Sequence, residues 1–291
     1  MNALAAIVLH HNASQALARN LSALVESTLL PQHIVVLDNS SDTLAAADAE
    51  KSCAEHGIRH VRVPNQGYGA AMNLGLADPL VRSCDFVLML THETVVSPTC
   101  LAELESALRT DDTLAAVGPV LGRLAAPEML WSAGGVLHAD WTVTHLSEPP
   151  QLAAWTSGPV RQVDWVDGAA VMIRRTALDQ AGLFDERFFL YWEEIELQRR
   201  MIKAGWRVAV VPPAVAWQSS GSDWAGALMQ RNKLLFVETA TSVRSAYRVA
   251  FNDLNLIYRA CTAAQRSESR TLSARKLKGI LSYVIRRWGL I

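Results

Sequence analysis

Along the first 120 residues, short apolar runs alternate with stretches whose apolar positions recur every three or four residues. Residues 4–9, 33–37, 59–63, 85–90 and 115–120 read as strands. Between them, residues 13–27, 43–55 and 69–76 carry helical spacing. A further helix is expected through Leu108, with Ser97 suited to its cap and Pro98 to its first turn. Strands alternating with helices specify an α/β fold, a mostly parallel sheet covered on both faces. Right-handed crossovers gather the strand ends on one edge, and ligands of such sheets bind at the carboxyl edge where the strand order switches.

The regular pattern lapses at 122–159, which is rich in Gly, Pro and Trp and reads as loops and short strands shaping a pocket. It returns as a strand at 163–174, a helix at 193–204, a strand at 206–211 and helices from 225 onward. Half of the 291 residues are hydrophobic and the formal net charge is -1, so no global field favours nucleic acid. The four cysteines form no CxxC pair or zinc spacing and read as free thiols of a reducing compartment, most simply the cytoplasm. No apolar run approaches the roughly 20 residues of a membrane span, and no secretory signal is expected.

Chemistry-bearing residues collect where strands end. The first strand runs into His10-His11-Asn12 and the second into Asp38-Asn39-Ser40-Ser41-Asp42. Acids at such tips accept from a base or a ribose hydroxyl, or else build an Asx-turn or helix cap. Gly67 and Gly69 begin a GxGxxG pattern that fails at Met72 and follows the third strand instead of the first, which argues against a dehydrogenase. The fourth strand ends in Thr91-His92-Glu93, where Glu93 could hold a divalent cation or simply face solvent. Residues 182–197 bring an aromatic loop against Glu193, Glu194 and Glu196 at a helix start. Crowding of like charges and desolvation beside apolar rings both raise a carboxylate pKa, which suits a general base, although acids in a first turn also serve the helix dipole.

In this order, Val35 to Ser41, Asn65 to Gly75, Gly168 to Arg175, Gly182 to Arg200 and the pair Arg231-Asn232 resemble the inverting family 2 glycosyltransferases of the GT-A type, near their bacterial rhamnosyltransferase-like members. The resemblance implies a GT-A domain over 1–240, with a nucleotide-sugar half at 1–120 and an acceptor and catalytic half at 121–240. Residues 241–291 would form a basic helical extension. It implies a nucleoside-diphosphate sugar as donor, a deoxythymidine-diphosphate rhamnose or a UDP-sugar. The acceptor would be a hydroxyl of a lipid-linked glycan, a polysaccharide or a small natural product. His10, Asn12, Asp38, Asn39, Gly67, Tyr68, Asn73, Thr91, His92, Glu93 and Arg199 would bind the donor, and Asp167, Gly168, Tyr191 and Trp192 the acceptor. Glu194 would be the base with Glu193 beside it.

The chain departs from the family pattern where a metal is concerned. One acid remains in Thr91-His92-Glu93, and Gln218 stands where a histidine ligand is usual. Dependence on Mg²⁺ or Mn²⁺ is therefore open, with Arg199 or Arg200 as alternative charge for the diphosphate. The same departures suit a second reading, a sugar-nucleotide-binding protein without catalysis. A nucleotidyltransferase is disfavoured because Leu9 to Asn12 is not a basic glycine-rich loop. The Lys and Arg residues of 241–291, interleaved with apolar positions at helical spacing, suit either an anionic membrane surface or packing on the core or on a second subunit of a homodimer.

Overall fold

The computed structural model describes residues 4–27, 30–219, 225–263 and 267–290. In chain order the elements are β1 (Leu4–His10), α1 (Ser14–Glu26), β2 (Ile34–Asp38), α2 (Thr43–Glu55), β3 (Arg59–Arg62), α3 (Tyr68–Leu76), α4 (Pro79–Arg82), β4 (Phe86–Thr91), β5 (Thr94–Val96), α5 (Cys100–Thr110) and β6 (Leu114–Arg123). There follow β7 (Ala126–Ser132), β8 (Gly135–Leu137), β9 (Val143–His145), β10 (Arg161–Gln162), β11 (Ala170–Arg174), α6 (Arg175–Ala181), α7 (Glu193–Lys203), β12 (Arg207–Gln218), α8 (Ala225–Ala240), α9 (Val243–Ala263) and α10 (Ser267–Val284).

The central sheet runs β10-β12-β6-β11-β4-β1-β2-β3, with β5 on β12 and β7 on β6. β1 pairs in parallel with both β2 and β4, so the strand order reverses beside it. β11 lies antiparallel between β4 and β6. Its start, not its end, therefore reaches the edge where β1, β2 and β4 finish. Side-chain alternation divides the core by face. Leu4, Ala6 and Val8 pack with Leu17, Leu21 and Leu104, while Ala5, Ile7 and Leu9 pack with Met72, Leu76 and Leu197. At Gly75 a Cβ would lie 2.9 Å from Ile7, which explains how α3 can lie so close to the sheet.

Three expectations change. The strand over 163–174 is confined to β11, because Val166 directs its N–H and C=O to the side chain of Gln198 instead of a neighbouring strand. Ser97 is not the cap of α5: the cap position is Thr99, and the Ser97 hydroxyl is buried without a partner. The strand at 206–211 continues through Pro212-Pro213 to Gln218, with a register shift between Val211 and Val215 that accommodates residues lacking a ladder N–H. Beyond α7, a third apolar cluster joins Phe188, Trp192 and Ile195 to Leu234, Phe236, Ile257, Ile280 and Tyr283. The last helices thus share a core with the loop that precedes α7. Cys53, Cys84 and Cys100 are buried free thiols, while the side chain of Cys261 lies outside the described residues.

Candidate active site

The strand tips open into a cavity of about 760 Å³. On one side stand His11, Asn39, Asn65 and Gly67; Thr91, His92, Glu93 and Gln218 lie across it. Asp167, Gly168 and the aromatic residues Trp131, Trp165, Tyr191 and Trp192 surround Glu193 and Glu194. Strand alternation decides which tip residues reach it. Leu9 and His11 face the cavity, whereas His10 continues the buried face of Ala6 and Val8.

His10, Asn12, Asp38, Asn73 and Arg199, all expected at the donor, are not among the cavity-lining residues. Asp38 is fully buried and saturated. Its Oδ1 accepts from the Ser40 N–H at 2.9 Å and from His10 Nδ1 at 3.1 Å, and its Oδ2 from Arg62 at 2.6 Å and His60 at 3.1 Å. Burial alone would raise its pKa, but the bonds from Ser40 and Arg62 and the charge of His10 hold it below the usual carboxylate range. Asp38 therefore anchors the two strand tips, and Asn39 is the residue beside it that reaches the cavity, its Nδ2 donating to Asn65 Oδ1 at 3.3 Å. Asn12 ties loops together through Ser40, Ser41 and the Asp42 N–H. Asp42 is the N-cap of α2, accepting from the N–H groups of Leu44 and Ala45. Asn73 tethers residues 184–186 through Phe184 and Glu186.

Arg199 lies five residues beyond Glu194, roughly 140° around the helix. It faces away from the cavity and sits over the rings of Trp141 and Phe236. Arg200 is held by Glu196 and by the carbonyls of Ala181 and Leu183. Neither is placed to balance a diphosphate.

The loop before α7 is strained. Phe189, Tyr191 and Trp192 all have positive φ, at 64°, 72° and 75°. Leu190 N–H closes a tight turn on the Phe188 carbonyl. Gly67, at φ 98°, is what permits Tyr68 N–H to donate to Phe189 O at 2.7 Å, since a Cβ there would stand 2.1 Å from that oxygen. From the other side α8 holds the loop. The Asn232 amide donates to the carbonyls of Phe188, Leu190 and Tyr191, and fully buried Arg231 donates to Phe188 O at 2.5 Å and to the chain at Gly289. The Arg231-Asn232 pair is therefore a clamp on the loop that delivers the acids.

Glu193 is buried and Glu194 half-buried, and both are short of partners. One oxygen of each, Glu193 Oε2 and Glu194 Oε2, has no hydrogen bond. Burial drives the Glu193 pKa well above its ordinary value, with the charge of Glu194 adding to the effect. Burial and then Asp167 push Glu194 up to about 7, against backbone hydrogen bonds and His145. His145 and Trp165 were absent from the sequence expectations. His145 Nε2 donates to Asp167 Oδ1 at 2.9 Å, and Asp167 Oδ2 accepts from Ser132 Oγ at 2.6 Å. A histidine in an irregular segment carries no signal of its own, and the density of Trp and Gly around it was the only clue.

A mostly parallel sheet with its switch point at β1, and a cavity over that point that holds two acids at a helix start, define an α/β protein with its candidate active site at the strand tips. The glycosyltransferase-like family 2 matches residues 2–234, and the chain belongs to that family; it is a glycosyltransferase. It is 28% identical over 254 residues to N-acetylglucosaminyl-diphospho-decaprenol L-rhamnosyltransferase of Mycobacterium tuberculosis, covering 76% of this chain and 78% of that protein. It is 25% identical over 215 residues to galactofuranosyltransferase GlfT1 of Mycolicibacterium smegmatis, covering 69% of this chain and 65% of that one. Its fold superposes on GalNAc-T7 with UDP, GalNAc and Mn²⁺ at a TM-score of 0.68 and 15% identity, over 100% of this chain and 58% of that chain. For mannosyltransferase PcManGT from Pyrobaculum calidifontis with GDP-Man and Mn²⁺, the TM-score is 0.59 at 13% identity, over 98% of this chain and 87% of that one.

Proposed function

We propose that the protein transfers a sugar from a nucleoside-diphosphate sugar to an acceptor hydroxyl by a single in-line displacement that inverts the anomeric centre, with Glu194 as general base. The observation that carries this reading is the Glu194 carboxylate itself. It stands on the cavity wall with one oxygen free of hydrogen bonds, and its pKa is raised to about 7 by burial. Glu194 takes the acceptor proton as the acceptor oxygen attacks, and the nucleoside diphosphate leaves from the opposite face. Glu193, more deeply buried, keeps its own proton, so two adjacent carboxylates need not ionise together. The relative that transfers L-rhamnose to N-acetylglucosaminyl-diphospho-decaprenol supports a rhamnosyl donor and a lipid-linked acceptor.

A divalent cation suits this cavity. Among its described lining residues there is no Lys or Arg, so a diphosphate would meet no permanently cationic side chain. His92 donates its Nδ1–H to Leu9 O at 3.1 Å, which leaves Nε2 unprotonated, 3.8 Å from Glu93 Oε1. His92 and Glu93 would hold the ion, with diphosphate oxygens and water completing the shell, since the described residues contain no cluster of three or more ligand side chains. When bound, Mg²⁺ or Mn²⁺ would offset charge on the departing diphosphate. Calorimetry with a panel of nucleoside diphosphates and nucleotide sugars, with and without Mn²⁺, tests both points. Micromolar binding of one nucleotide class, strengthened by the metal, is expected. Well-folded protein that binds none of the panel would overturn the donor site.

A lipid-linked acceptor calls for a membrane-facing surface, and α9 offers one. Val243, Tyr247, Phe251, Leu254 and Tyr258 form an exposed stripe at helical spacing, accompanied by exposed Arg244, Arg248 and Arg259. No helix among the described residues is long and apolar enough to cross a membrane. On this reading the stripe and its arginines rest on an anionic leaflet. Flotation with phosphatidylglycerol vesicles should carry the protein, and Phe251→Glu should abolish this. Absence of flotation, with dimers in sedimentation, would reassign the stripe to a subunit interface.

A further inference from the structure

The reading above accounts for Glu194 but not for the ionisable pair beside it. Asp167 sits on the segment leading into β11, and this segment is fixed to the helix of the base. Gln198, one turn along α7 from Glu194, accepts from the Val166 N–H and donates to the Val166 carbonyl, both at 2.8 Å. Tyr68 adds a third tie, donating to Gly168 O at 2.7 Å, and a Cβ on Gly168 would stand 3.5 Å from the Glu194 Cβ. Asp167 and Glu194 therefore keep a fixed relation.

His145 completes the arrangement. It ends β9, lines the cavity and bonds Asp167 through Nε2. Its ring meets Trp165 edge-on at 4.9 Å and Trp131 at 5.7 Å, which fixes its plane. Ser132 occupies the second oxygen of Asp167, leaving the first for His145. The charged and titratable groups around Glu194 are few. Glu193 is on its own helix, Tyr68 comes from α3, and Asp167 and His145 come from the acceptor side. Arg231, from α8, acts on Glu193.

We propose that His145 is a positioning residue for the transfer step, held on Asp167 so that its positive charge offsets the negative charge of Asp167 beside the Glu194 carboxylate. The inference rests on Glu194 being the base. Burial lowers the pKa of His145, but the bond and charge of Asp167, with Glu194 adding to them, raise it on balance. In turn, His145 lowers and Asp167 raises the pKa of Glu194. The two members of the pair thus act on the base in opposite directions, a property that packing alone would not give.

The test is the pH profile of kcat/KM for the full chain with its nucleotide-sugar donor. His145→Gln leaves Asp167 uncompensated, so the acid limb should move to higher pH by about one unit, with activity largely recovered on the alkaline plateau and the donor KM unchanged. His145→Lys, which restores a positive charge beside Asp167, should return the limb toward the parent position. A titration of Glu194 by NMR with labelled glutamate carboxyls reads the same shifts without turnover, so a poorly active variant still decides the matter. A limb that stays in place in His145→Gln, or that His145→Lys leaves at the His145→Gln position, would overturn the proposal. Full activity of Glu194→Gln would instead overturn the assignment of the base.

Discussion

Two carboxylates of this molecule, one fully and one half buried, stand near the same sheet edge and are treated in opposite ways. Asp38, at the end of β2, receives four donors on its two oxygens and is held ionised despite its burial. Glu194, at the start of α7, is half-buried with one enclosed oxygen unpartnered, and its pKa is pushed up to about 7. The difference lies in the supporting elements. β2 lies between two regular parallel strands, where backbone and side-chain donors are already aimed at the tip. α7 emerges from a loop of positive-φ residues that is clamped from outside by Asn232 and Arg231. A satisfied carboxylate braces the fold, whereas one short of donors has a raised affinity for a proton, as a general base needs.

The largest break in this contrast should come from Glu194→Gln, which keeps the shape and removes the base. Turnover should fall by at least about a hundredfold, the lower range for general base catalysis, while donor affinity by calorimetry stays within twofold. Near-normal turnover would exclude Glu194 and leave the acid pair without its assigned role.

Asp38→Asn should act on the other side of the comparison. An amide can accept on one oxygen only, so Arg62, His60 or Ser40 loses a partner. A loss of about 2–3 kcal/mol in unfolding free energy is expected, as for hydrogen bonds to charged groups. The sign with pH also follows. Asp38 has a folded pKa below its unfolded one, so its stabilisation is present above about pH 4 and fades as pH falls through the folded value. Chemical denaturation at pH 7 and pH 3 checks this, with a smaller difference between parent and variant at pH 3. Turnover per folded molecule should be retained, and a variant as stable as the parent at pH 7 would deny Asp38 its bracing role.

The same contrast explains what the chain disclosed before its fold was known. β1, β2, α2 and β4 were legible because their signals are local: buried runs, helical spacing and an Asp42 cap. The acid pair was legible from its crowding against aromatic residues. Tip residues were misassigned where only alternation decides direction. His10 and Asp38 belong to the face of Ala6, Val8, Ile34 and Val36, so His11 and Asn39 reach the cavity. Arg199 was displaced by helix rotation. His145 and Trp165 could not be read at all, because a two-stranded hairpin and a loop some twenty residues apart meet only in three dimensions.

The smallest expected effect sharpens the comparison through stability alone. Glu194 has a folded pKa near 7, above the ordinary 4.5. Between these values the folded state binds more protons than the unfolded one, so its contribution is fully present below about pH 4.5 and is lost as pH rises through 7. This slope is opposite in sign to that of Asp38. Glu194→Gln removes it. The variant should therefore match the parent in thermal stability near pH 4 and exceed it at pH 8, by an amount of the order of 2–4 °C in Tm for each kcal/mol relieved. Scanning calorimetry of both proteins at the two pH values measures it. A gain confined to the alkaline side would mean that the enzyme tolerates an unfavourable buried charge in order to keep a base. An equal change at both pH values would mean that the substitution acts on packing and that the carboxylate carries no such strain.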